Sequence, residues 1–144
     1  MNIEILTITL AVIVAIITFG QWQTSREAQK LALFEMRYEV YEKITGFIAR
    51  ILIDGTVESR ADQDFLRDTK NAYFLFSGDV KVSALISEIY KKAIDLHCLE
   101  ALQDSLPDEE RFRNIEKQGD IKIWMSSTLS SMEMYFEKHL LLKH

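Results

Sequence analysis

Apolar side chains fill almost every position from Ile5 to Phe19, whereas the rest of the chain alternates apolar and polar positions in steps of three and four. No charge stands between Glu4 and Arg26, and ten of the fifteen residues from Ile5 to Phe19 are Ile, Leu, Val or Phe. Each of these contributes roughly −0.3 to −0.6 kcal/mol to insertion at mid-membrane, so the stretch gains on the order of −3 to −6 kcal/mol. Extended from Ile3 to Trp22, it matches the roughly 20 helical residues that cross the hydrocarbon, and Trp22 falls where an interfacial aromatic belongs. The pattern predicts a transmembrane helix over residues 1–23. A cleaved secretory signal, with Thr18-Phe19-Gly20 imitating a cleavage site, is disfavoured by Glu4 and by the absence of Lys or Arg before the apolar run.

From Gln21 to Ile53 the pattern is helical. Leu31, Phe34, Tyr38, Tyr41, Ile48 and Leu52 form one row, with Thr45 in its gap, and Leu33, Val40, Ile44, Phe47 and Ile51 form a second. This helix is expected to continue from the span, with Gly20 as the position where it bends. Asp54-Gly55 signals a turn, and Ser59 followed by Asp62 predicts a capped start to a helix bearing Ala61, Phe65, Ala72, Tyr73 and Phe76 inward. Ser77-Gly78 closes that helix. Asp79 is the expected N-cap of the next, which turns Val82, Leu85, Ile86, Ile89, Tyr90, Ala93 and Ile94 inward. Pro107 fits the first turn of the following helix, with Asp108, Glu109 and Glu110 at its positive end. Gly119-Asp120 is expected to break this segment before a last helix carrying Trp124, Leu129, Met132, Tyr135, Phe136 and Leu140. No segment alternates with period two long enough to predict a strand. The expected fold is all-α: one N-terminal transmembrane helix continuing into an antiparallel cytoplasmic bundle of four or five helices over residues 24–144.

Charge sets orientation. No basic residue precedes the span while Arg26, Lys30 and Arg37 follow it, which predicts the N-terminus outside and the C-terminal domain in the cytoplasm. A single Cys98 makes no internal disulfide and suits a reducing compartment. A net charge of −5 argues against general nucleic-acid binding.

Candidate chemistry is sparse. His97 and Cys98 are neighbours and point about 100° apart on a helix, so they do not grip one ion together. The expected reading is a partly buried Cys beside a surface His. His139 and His144 have no partner at ligand spacing. Asp62, Asp64 and Asp68 fall on an outer helix face, and no Gly-rich phosphate loop, HExxH or GxSxG occurs. We therefore expect neither catalytic nor metal-binding residues, no cofactor and no enzyme. The run Ser126, Ser127, Thr128, Ser130 and Ser131 lies in a stretch without charge from Ile123 to Met132, and suits close helix packing, a subunit interface or a polar ligand surface.

Two patterns on the first helix bear on function. Thr7, Ala11, Ala15 and Thr18 fall within about 80° of arc and form the small-xxx-small face by which spans associate. Past the membrane, Gln23, Lys30 and Arg37 recur every seven residues with Arg26 beside them. In a parallel homo-oligomer, a tetramer or similar small ring, these become a positive collar that attracts phosphates. Alternatively they are the headgroup-contacting charges of any span, or pair with Glu27, Glu35 and Glu42. The collar is displaced by roughly 80° from the small-residue face and lies nearer Thr9, Val12, Ile16 and Phe19. Either the helix bends at Gly20, or Val12, Ile16 and Phe19 line a hydrophobic constriction that closes by dewetting.

The stretches WQTSREAQKLALFEMRYEVYEKITGFI (22–48) and FLFSGDVKVSALISEIYKKAIDL (74–96) resemble a group of small bacterial proteins with one N-terminal span and a helical cytoplasmic domain. Their layout is similar to membrane effectors of bacterial anti-phage systems, including the Hailong type. That resemblance implies an inner-membrane ion channel held shut by an oligonucleotide on its cytoplasmic part. The expected function is thus a homo-oligomeric single-span effector forming an ion-conducting pore. Its partners would be the lipid bilayer, other copies of itself and a nucleotide or short oligonucleotide signal. The alternative is a membrane-anchored adaptor whose bundle docks a cytosolic protein.

Overall fold

The computed structural model describes residues 3–141. They are all-α, with no strand among them. In order they form α1 (Ile3–Asp54), α2 (Ala61–Thr69), α3 (Ala72–Leu75), α4 (Val80–Leu102), a 3-10 turn at Gln103–Ser105, and α5 (Asp108–Leu140). The described residues divide between Glu35 and Met36 into two units.

The first unit is a single helix. Every side chain described from Ile3 to Ala32 is exposed. An apolar helix with no protein cover satisfies its backbone internally but leaves its side chains without an apolar environment, which lipid supplies. By length and composition α1 is the one described helix able to cross a membrane. Its threonines fit that role. The hydroxyls of Thr7, Thr9 and Thr18 donate to the carbonyls of Ile3, Ile5 and Val14 at 2.8–2.9 Å, so none enters hydrocarbon unpaired.

The second unit is an antiparallel helical bundle. Residues 36–54 of α1 run one way. The chain then returns through α2, where Phe65 stacks on Phe47 at 4.4 Å and Asp68 reaches Lys43 at 3.8 Å. α4 and α5 lie antiparallel, since Asp79 meets Lys138 and His139 at one end and Leu99 meets Asn114 toward the other. The core gathers Val40, Ile44, Ile48 and Ile51 from α1, Phe65, Ala72 and Phe76 from the return, Leu85, Ile89 and Leu96 from α4, and Met125, Met132 and Phe136 from α5. At roughly 1.5–3 kcal/mol for each large side chain buried, this cluster is what holds the helices together. A polar ladder crosses it: Gln118 Nε2 donates to Asn114 Oδ1 and to Gln103 Oε1, while Asn114 Nδ2 donates to the Leu99 carbonyl.

Several local expectations are corrected. In α1 the row Val40, Ile44 and Ile51 is buried, whereas Leu31 and Tyr38 of the other row are exposed. α2 starts after Arg60, which sits in the left-handed region at φ 74° with no side-chain cap, so Ser59 does not cap it. The approach is set instead by Val57, which is buried and donates its N–H to Glu100 Oε2. One helix was expected from Ala61 to Phe76; the chain breaks it at Lys70-Asn71, just after Thr69 turns its hydroxyl back to the Phe65 carbonyl at 2.7 Å. Tyr73 is exposed, its ring covering Gly78, where φ is 69° and an added Cβ would lie 3.4 Å from that ring. Pro107 is the N-cap of α5, one residue before its first turn. Gly119-Asp120 does not break α5: Gln118 and Ile121 on either side are buried, and that packing outweighs the roughly 1 kcal/mol glycine penalty. Asp79 caps α4, accepting from the Lys81 N–H at 2.9 Å.

Candidate functional site

In the first unit α1 continues through Gly20, whose carbonyl accepts from the Thr24 hydroxyl. Helical spacing then places Val12, Ile16 and Phe19 on the same side as Gln23, Arg26 and Lys30, and Thr7, Ala11, Ala15 and Thr18 on a neighbouring side. The junction between apolar and basic residues is locally ordered. Phe19 and Trp22 lie with ring centroids 5.9 Å apart, and the Arg26 guanidinium sits 4.8 Å over the Trp22 ring. A hollow of about 320 Å³ runs along this side, lined by Phe19, Trp22, Gln23, Arg26, Glu27 and Lys30. All of these are exposed.

Arg37 has a different setting. It belongs to the second unit, where its Nε donates to the Leu75 carbonyl at 2.7 Å and a terminal guanidinium nitrogen donates to the His139 carbonyl at 3.3 Å. Both carbonyls lie in the last turns of helices, α3 and α5, whose partial negative ends favour a cation. The structure thus brings Gln23, Arg26 and Lys30 together and employs Arg37 as a brace of the bundle.

That brace belongs to a cluster the sequence did not reveal. Asp79, nearly buried, accepts from Lys138 Nζ at 2.6 Å and lies 2.9 Å from His139 Nε2. The Lys138 ammonium, then His139, hold its carboxyl well below the usual carboxylate range against the opposing effect of burial. His139 also meets Phe76 edge-on at 5.2 Å. Nearby, Phe136 meets the edges of Tyr41 and Phe76, and burial, aided by Glu133, pushes the Tyr41 phenol up. Arg37 was the one legible signal: it is in register with the buried row Val40, Ile44 and Ile51, where a charge must find partners. From this cluster a groove of about 880 Å³ opens between α4 and α5, lined by Lys81, Glu88, Ser131, Met134, Tyr135 and Lys138 among others.

His97 and Cys98 are both exposed on α4, so Cys98 is less buried than expected. No group of three or more His, Cys, Asp or Glu able to share a metal ion occurs among the described residues, and His144 lies outside them. Asp64 and Asp68 are engaged with Arg67. In the serine run, Ser127, Ser130 and Ser131 donate back to carbonyls of their own helix, Thr128 is buried, and Ser126, Ser127 and Ser130 face outward. Comparison of the chain with family models, curated proteins and solved structures finds no match to any.

Proposed function

We propose that this chain is a homo-oligomeric, single-span membrane effector of bacteria that forms an ion-conducting pore. Its N-terminus lies outside and its bundle in the cytoplasm of the inner membrane, and a nucleotide or short oligonucleotide bound on the cytoplasmic side gates it. The observation that carries this reading is the side of α1 on which Val12, Ile16 and Phe19 are followed by Gln23, Arg26 and Lys30. Copied around a ring, that side gives a hydrophobic constriction closed by dewetting with cations at its mouth, a place for phosphates to act. Thr7, Ala11, Ala15 and Thr18 supply the packing face between neighbouring spans. The layout resembles that of anti-phage membrane effectors.

Replacing residues 3–19 with an unrelated Leu-rich span tests the proposal against a membrane-anchored adaptor. A pore loses its effect on cell viability and membrane potential with the exchange. An adaptor retains its activity, and that outcome would contradict the pore.

A further inference from the structure

Two cations of α1 have no carboxylate to balance them. The side chains of Arg26 and Lys30 are exposed and make no ion pair or hydrogen bond with any described residue, and Arg26 lies only over the Trp22 ring. Glu27, beside Arg26 and three residues before Lys30, pairs with neither. Farther along the same helix the cations are engaged: Lys43 reaches Asp68, Arg50 reaches Glu58, and Arg37 holds two carbonyls. Successive residues on a helix stand about 100° apart, which puts Gln23, Arg26 and Lys30 within about 40° of the direction of Val12 and Glu27 about 60° from it. Glu4 lies about 80° away, in line with Ala11 and Ala15 on the packing face. No other charge precedes Arg26.

We propose that the pore passes anions in preference to cations, and that Arg26 sets the preference. This rests on the pore reading and specifies what the pore conducts. The constriction of Val12, Ile16 and Phe19 is uncharged, so it opens and closes without sorting ions by sign. Sorting then falls to charge at the mouths, where rings of Arg or Lys favour anions. Arg26 stands one turn past Trp22, about 6 Å along the helix axis and inside the Debye length of about 8 Å at physiological salt. Lys30 stands about 12 Å past Trp22 and is screened more. With Glu27 counted against these two cations, each chain still brings net positive charge to the inner mouth, and a ring of copies multiplies it.

The test is the chloride-to-potassium permeability ratio, read from the reversal potential of the purified chain in a planar bilayer under a potassium chloride gradient. The expected ratio is about fivefold or more near 0.15 M salt, falling at least about twofold near 1 M, where the Debye length is about 3 Å. Arg26→Gln is expected to lower it about threefold and Lys30→Gln less, with current retained in both. Glu4→Gln, at the other end of the span, is expected to leave it unchanged. A ratio of one or less, or a ratio that Arg26→Gln and added salt leave unchanged, overturns the anion preference while the current itself keeps the pore standing. Absence of any current overturns both.

Discussion

Nε2 of His139 lies 2.9 Å from Oδ2 of Asp79, so the last turn of α5 is tied to the N-cap of α4. Lys138 holds the same carboxylate oxygen, and the Arg37 guanidinium holds the His139 carbonyl. One end of the bundle is therefore closed by a chain of charge-assisted contacts that joins α1, α4 and α5.

Acid should release it. The Asp79 carboxyl is lowered in the folded protein, so its contribution is complete above the ordinary carboxylate value, about 4, and is lost as pH falls below that value. Asp79→Asn keeps a capping acceptor but removes the charge. Its melting temperature should lie below that of the parent at pH 7, and the gap should narrow as pH falls from 5 toward 3. Thermal unfolding across that range checks this; a gap independent of pH would show that the charge contributes nothing.

Arg37 and Arg26 should separate cleanly. Arg37→Ala leaves the Leu75 and His139 carbonyls without their donor, an expected loss of about 1–3 kcal/mol. Arg37→Lys should rescue little, because an ammonium does not reproduce the fork. Arg26→Ala and Lys30→Ala, at exposed positions, should change bundle stability by less than about 0.5 kcal/mol. Denaturant titration of the four variants decides between a shared role and the division described above.

Phe136 is fully buried with its ring against the edges of Tyr41 and Phe76. Phe136→Ala should cost about 3–5 kcal/mol, enough to unfold a marginal bundle. Hydrogen exchange should then show loss of protection in residues 36–141 while the span remains helical in detergent.

In the proposed pore, Val12→Ser and Ile16→Ser should weaken dewetting and give channels that leak without ligand. Arg26→Ala with Lys30→Ala should leave conductance intact but weaken the response to an added oligonucleotide, with a smaller dependence on salt. Single-channel recording of the two pairs distinguishes constriction from collar.

Much of the fold was legible in the chain. The span follows from uninterrupted apolarity, the α4 start from Asp79, and the bundle from rows at helical spacing. The breaks were less so. Gly119 looks like an end until Gln118 is seen anchored to Asn114 and Gln103, and Ser59 looks like a cap until Val57 is seen pinned to Glu100 across 43 residues of chain. Of the candidate site, the side bearing Gln23, Arg26 and Lys30 followed from helical spacing alone. Arg37 fits the same seven-residue rhythm, yet its partners lie 38 and 102 residues away, and spacing along one helix carries no record of them.

The proposed pore is tested most directly by recording current across a planar bilayer from the purified chain, alongside its mass in mild detergent. The account predicts a complex of several copies with discrete conductance steps that an oligonucleotide on the cytoplasmic side alters. A monomeric complex with no current under any ligand condition would contradict it.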